Sequence, residues 1–90
     1  MTIHKSEAFG NMLHALGVQR RRGGFTKGGW RNYYQATYHS PDDWLWLGLW
    51  GLGLADEGRT SEDKSTRLWH VSAAGIKYLK DIGFQIEVQP

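Results

Sequence analysis

Between Ser40 and Leu54 the chain reads Ser-Pro-Asp-Asp-Trp-Leu-Trp-Leu-Gly-Leu-Trp-Gly-Leu-Gly-Leu, and nothing from Trp44 to Ala55 carries a charge. Ser40 suits an N-cap, Pro41 the first helical position, and Asp42 and Asp43 the positive end of a helix dipole. A helix is therefore expected over residues 41–52, closed by Gly53 with Leu54 folding back on Leu49. The alternation of Leu and Trp also suits a buried strand, and Gly48 and Gly51 each cost a helix about 1 kcal/mol relative to Ala. A helix with no polar face must be covered on most sides or meet a partner. Core packing is preferred here to an interface helix, which makes residues 40–54 the expected buried centre of the fold.

The chain has 90 residues, one domain's worth, so residues 1–90 are read as a single domain. A chain of this size hides only somewhat over ~60% of its unfolded surface. Its core must be dense, and five Trp, four Tyr and three Phe supply the large side chains this requires. With no cysteine, disulfides and thiolate metal sites are closed, and a cytoplasmic location is expected. No apolar run reaches signal-peptide or membrane-spanning length, so no membrane association is expected.

Local signals place the remaining elements. Ser6 is a candidate cap for a helix over residues 7–16, with Phe9, Met12, Leu13 and Leu16 on one stripe and Gly17 as its stop. Residues 18–32 are basic and glycine-rich without helical period, which predicts a loop. Residues 33–38 alternate as a short strand, with Tyr34, Ala36 and Tyr38 on one side. A polar, acidic stretch over 55–66 and a return strand over 67–71 predict a hairpin across 55–71. Ser72 caps a helix over 73–82 with Ile76, Leu79 and Ile82 inward, stopped by Gly83. Phe84, Ile86 and Val88 alternate as a final strand.

The best candidate site is the basic stretch interleaved with aromatics: Arg20, Arg21, Arg22, Phe25, Lys27, Trp30, Arg31, Tyr33 and Tyr34. Net charge is only +2, yet residues 1–39 hold six Lys or Arg against Glu7 alone, and residues 40–90 are acidic on balance. Arginine forks pair with phosphates and aromatic faces stack on bases, the combination that single strands and nucleoprotein grooves recruit. A solvated loop whose Trp30 and Tyr34 plug the core, and contact with an acidic protein surface, are the competing readings. His39 beside Asp42 and Asp43 lacks metal-site spacing, and His4, His14 and His70 fall in separate elements. His14 is expected at the helix surface or half-buried, and His70 in a strand paired across the hairpin. The stretch from Gly23 to Gly29 lacks the residue order of a phosphate-cradling loop, and no Ser or Thr sits in a nucleophile elbow. No catalytic set, metal or cofactor is expected.

From Leu49 onward, the apolar helix closing on Gly53-Leu54, the polar hairpin, and Leu68-Trp69-His70-Val71-Ser72-Ala73-Ala74-Gly75 leading to Leu79 resemble the back half of winged-helix regulators of the MarR and PadR type. In those proteins a helix ending in Gly-Leu precedes the wing, and the wing's second strand runs into Val-Thr or Val-Ser, two residues, Gly and a new helix. Ser72 and Gly75 occupy those positions. The resemblance implies an α+β winged-helix-like domain of three helices, a β-hairpin wing and short antiparallel strands. It departs from the pattern in two important places. The helix at 41–52, in the recognition position, has no Arg, Lys, Asn or Gln with which to read base edges, and residues 18–39 lack the extra helix of a complete helix-turn-helix.

Met12-Leu-His-Ala-Leu-Gly17, Trp30-Arg-Asn-Tyr-Tyr34 and Asp43-Trp44 are similar to stretches of small bacteriophage and prophage proteins. That resemblance implies a non-catalytic binding protein, acting in the host cytoplasm to inhibit a host protein or nucleoprotein complex, an anti-CRISPR or other anti-defence role being one example. The alternative is a winged-helix-like DNA-binding regulator that contacts phosphates through the arginine loop and the wing residues Arg59, Lys64 and Arg67. The expected partners are a host protein or nucleoprotein complex, DNA or RNA in direct contact, or a second copy in a homodimer. The binding surface is expected to draw on Arg20, Arg21, Arg22, Lys27, Trp30, Arg31, Tyr33, Arg59, Lys64 and Arg67.

Overall fold

The computed structural model describes residues 5–88, so His4 lies outside it. Its three helices are α1 (Lys5–Ala15), α2 (Pro41–Gly51) and α3 (Ala73–Asp81). Each ends on a glycine in the left-handed region, Gly17, Gly53 and Gly83, and the next residue reaches back to the last turn: Val18 to Leu13, Leu54 to Leu49, Phe84 to Leu79. This double-bonded stop satisfies carbonyls that a helix end otherwise leaves unpaired. Ser40 and Ser72 cap α2 and α3, their hydroxyls accepting from the N–H groups of Asp43 and Gly75. At α1 the helix already includes Lys5, the first described residue, so Ser6 lies inside it rather than ahead of it.

Five strands form two antiparallel sheets: β1 (Arg20–Arg21) with β2 (Gly24–Phe25), and β3 (Tyr34–Thr37), β4 (Ala55–Thr60) and β5 (Thr66–Val71) in the order β3-β5-β4. Residues 18–32 are thus not wholly irregular, since a small hairpin turns at Arg22 and Gly23 within them. The 55–71 hairpin forms as expected, with longer strands and a shorter turn at 61–65. That turn is ordered from within: Asp63 accepts from the hydroxyls of Ser61 at 2.8 Å and Ser65 at 2.7 Å.

The core lies between the sheet and the helices. Ala8, Met12, Ala15 and Leu16 come from α1, Trp46 and Leu49 from α2, Trp69 and Val71 from β5, and Leu79 from α3. The Trp46 and Trp69 rings stack 6.3 Å apart at 12°. The 40–54 segment is only partly this centre: Trp44, Trp50 and Leu52 are 43%, 56% and 67% exposed. An 11-residue helix touching the sheet on one side and α1 on another has no third layer to cover its remaining face. Ile82 is exposed for a related reason, since it lies past the end of α3. Residues 84–88 form no strand. Only Ile86 pairs, bridging Gly28 in parallel, and it is buried while Val88 faces out.

Candidate functional site

The basic segment is built onto the carbonyl end of α1. Residues 29–33 deliver four donors to four successive carbonyls: Arg31 to His14 O at 2.6 Å, the Tyr33 N–H to Ala15 O at 3.1 Å, the Gly29 N–H to Leu16 O at 2.8 Å and Trp30 Nε1 to Gly17 O at 3.0 Å. Of these carbonyls His14 O also accepts from the Gly17 N–H at 3.1 Å; at the helix end such carbonyls lack intrahelical partners, and the guanidinium also meets the negative end of the helix dipole. Arg31 lies over two rings at once, 5.0 Å from the Trp30 centroid and 5.6 Å from that of Tyr33. Held in this way, Trp30 and Tyr33 still keep 55% and 50% of their surface exposed. Trp30 therefore does not plug the core. Tyr34 does so in part, lying 5.5 Å from the Trp46 ring.

Immediately before this cluster, the β1–β2 hairpin projects Arg20, Arg21 and Arg22 outward. Its neck is closed by Gln19 and Thr26, whose backbone and hydroxyl groups exchange two 2.8 Å bonds. Arg21 also bonds the Gln19 side chain. Among the described residues no carboxylate pairs with Arg20, Arg21, Arg22 or Arg31, whereas Lys27 reaches Glu87 at 2.5 Å and Lys77 reaches Asp81 at 2.8 Å. The Lys27 pair is exposed, the type that contributes about 0–1 kcal/mol and opens easily.

Of the candidate binding residues in the 55–71 hairpin, Arg59 and Lys64 are exposed. Arg59 borders a shallow depression shared with Gln35, Ser61, Thr66 and Leu68. Arg67 is different: its side chain is 8% exposed and its guanidinium is committed to Asp43 and Glu57. The expectation that Arg67 contacts phosphates is therefore corrected. Position 67 falls on the inner face of the sheet, opposite Ala36, where only an internal counter-ion makes a guanidinium tolerable. That counter-ion, Asp43, was explicable from sequence as a first-turn helix residue, and this hid its burial.

The arginine hairpin and the 55–71 hairpin belong to different sheets. Tyr34 pairs with Trp69 and Thr37 with Thr66, so β3 runs from the hairpin end toward the turn at 61–65, which it separates by roughly 10 Å of strand. Between them, Asn32 extends the sheet with its side chain, accepting from the Val71 N–H at 2.7 Å and donating to Val71 O at 2.9 Å. Its carbonyl shares a 2.6 Å bond with His70 Nδ1. Asn32 falls within the Trp30–Tyr34 stretch, but nothing in that stretch signals a side chain that extends the sheet.

Among the described residues no three His, Asp or Glu side chains converge on a common point. His39 adopts φ 61°, its N–H donating to Asp43 Oδ2 at 3.1 Å. No helix of the described residues is long and apolar enough to cross a membrane. No family model, curated protein or solved structure matches the chain.

Proposed function

We propose that this protein is a winged-helix-like, non-catalytic binding module of phage type that inhibits a host protein or nucleoprotein complex through the arginine hairpin and the adjoining Trp30–Arg31–Tyr33 cluster. The order α1, β3, α2, β4, β5, α3 and the sheet order β3-β5-β4 support the winged-helix reading, with the β1–β2 hairpin inserted ahead of β3. In that frame α2 holds the recognition position but presents carboxylates and apolar side chains, so a groove-reading role does not suit it.

The observation that carries the proposal is the composition of one segment. Arg20, Arg21, Arg22 and Arg31 have no carboxylate partner among the described residues, as is also true of Arg59, Lys64 and Lys80, but only the first four share a segment with two half-exposed rings, Trp30 and Tyr33, over which Arg31 lies. Unpaired arginines clustered with exposed Trp and Tyr are the composition of an interface centre.

Affinity capture from host lysate, comparing the wild type with the Arg20→Ala/Arg21→Ala/Arg22→Ala variant, tests this directly. The expected result is a defined protein or nucleoprotein species that the wild type retains and the variant loses. Identical retention by both would remove the hairpin from the interface. Capture of bare DNA alone would favour the regulator alternative, for which Arg59 and Lys64 on the wing supply additional phosphate contacts.

A further inference from the structure

We infer that the Trp30–Arg31–Tyr33 cluster and the arginine hairpin together take single-stranded nucleic acid, with bases on the rings and phosphates on Arg20, Arg21 and Arg22. This deepens the binding proposal and rests on it. The first support is the exposure of the rings. A Trp and a Tyr each about half exposed and standing on one guanidinium offer faces and edges to flat aromatic partners, and unstacked bases present such surfaces whereas a duplex keeps them covered.

The second support is preorganisation. Trp30 is fixed by its Nε1 bond to Gly17 O, and Arg31 by bonds of 2.6 and 3.2 Å to His14 O. The platform is thus ordered before any ligand arrives, and binding incurs little further loss of side-chain freedom. The glycine that accepts the indole bond leaves no room for a Cβ beneath the ring, so this seat depends on Gly17.

The third support is charge placement. Arg22 precedes Trp30 by seven residues of chain, in which the Gln19–Thr26 neck is closed and the Gly28 and Gly29 N–H groups are bonded to Gln85 O and Leu16 O. Cations and stacking surfaces carried on one such short, fixed segment suit the alternation of phosphate and base along a strand. An acidic protein segment would satisfy the arginines but leave the rings without matching partners. A duplex would need a groove-reading element, which α2 does not provide.

The test is fluorescence anisotropy with the intact protein and labelled oligothymidine, oligouridine and hairpin duplex, each of about 12 nucleotides, with polyglutamate as a protein-like polyanion. The two single strands separate DNA from RNA as the source. Single strands are expected to bind at least tenfold tighter than duplex. Tyr33→Ala and Trp30→Ala should each weaken binding about tenfold, the scale of one lost base stack. Tyr33→Ala leaves the cap on α1 intact because that bond uses its backbone, so it remains informative if Trp30→Ala is unstable, and Trp30→Phe should restore part of the affinity. The triple arginine variant should flatten the slope of log affinity against log salt by about 2.

Duplex binding as tight as single-strand binding, or ring variants that bind like wild type, would overturn the inference. Arginine-dependent binding to polyglutamate or to a captured host protein, with none to either single strand, would also overturn it while leaving the proposed function standing. Absence of binding to every polyanion, together with a lysate capture unaffected by the arginine substitutions, would remove both.

Discussion

Asp43 and Arg67 meet inside the fold in a two-pronged pair, Nε to Oδ1 at 2.7 Å and Nη2 to Oδ2 at 2.8 Å. The remaining acceptor positions of the carboxylate are also filled. Trp69 Nε1 donates to Oδ1 at 2.9 Å, the His39 N–H to Oδ2 at 3.1 Å, and Arg67 Nη1 reaches Glu57 at 2.9 Å. The guanidinium is sandwiched between the Tyr38 and Trp69 rings, with centroids at 4.5 and 4.7 Å. The pair ties the first turn of α2 to the start of β5, so it fixes how the helix lies on the sheet. Removing one partner leaves a buried charge uncompensated. Asp43→Ala or Arg67→Ala should each cost about 3–5 kcal/mol, and the double variant far less than the sum. Urea midpoints of the four proteins in this cycle check the expectation, and additive losses would refute it.

The same carboxylate governs acid stability. Burial raises its pKa, but hydrogen bonds from Arg67 and Trp69, the His39 N–H and the Arg67 charge outweigh burial and hold the group below its ordinary 3.8. A carboxylate depressed in the folded state stabilises above its unfolded value, and that stabilisation is lost as pH falls through the folded one. Unfolding free energy should therefore be flat near neutral pH and decline from about pH 5 downward. Asp43→Asn should show a shallower decline, the remainder belonging to groups such as exposed Asp63, held low by Ser65. An unchanged pH profile in this variant would dissociate acid sensitivity from the pair.

Along α2 the cost of truncation should alternate sharply. Trp46 is 0% exposed and Leu49 3%, so replacement by Ala should cost about 3–5 and 2–5 kcal/mol respectively. Trp50→Ala, on the uncovered face, should stay within about 0.5 kcal/mol. Thermal unfolding monitored by circular dichroism distinguishes them, and a Trp50 variant as unstable as the Trp46 variant would contradict the exposure pattern.

What was legible in advance follows the range of each interaction. The Ser40 and Ser72 caps and the Gly17, Gly53 and Gly83 stops depend on residues within a few positions of one another and appear where expected, whereas the hairpin between 55 and 71 pairs residues up to 16 apart and turns at 61–65, a shorter tip than the polar stretch 55–66 suggests. The split character of α2 was hidden because a helix apolar on every face has no period to show which side is covered. Asp43 looked fully explained by the helix dipole, while its true partner lies 24 residues downstream. At the candidate site, the arginine and aromatic composition was plain. Its anchorage was not, because bonds to the carbonyls of α1 leave no mark on the residue types of the helix that accepts them.

At alkaline pH the informative residue is Tyr34. Burial, then the hydrogen bond to Asp42 and the charge of that carboxylate, push its phenol from 10.0 up to about 12. A group whose pKa rises on folding contributes fully below its unfolded value and loses that contribution as pH climbs through the folded one, so stability should fall between about pH 10 and 12. Phenolate absorbance should contain one tyrosine with a midpoint near the upper end of this window, and Asp42→Asn should move that midpoint down. A midpoint unmoved by the substitution would show that Asp42 does not act on Tyr34.

Gly10, in the middle of α1, and Gly17, just past its end, should respond to alanine with opposite signs. Gly10 sits in the helix with nothing within 4 Å of an added Cβ, and its φ is outside the left-handed region. Gly10→Ala removes backbone freedom from the unfolded chain and favours the helix, so it should stabilise by about 0.5–1 kcal/mol. Gly17 has φ 80° and lies directly under the Trp30 indole, which an added Cβ would displace. Left-handed backbone alone costs alanine about 1–2 kcal/mol, and loss of the indole bond to Gly17 O exposes a helix-terminal carbonyl as well. For a domain of this size each kcal/mol moves Tm by about 4–8 °C, so the two variants should melt on either side of wild type. A Gly17→Ala protein melting at or above the wild-type temperature would mean that Trp30 is not seated on that glycine.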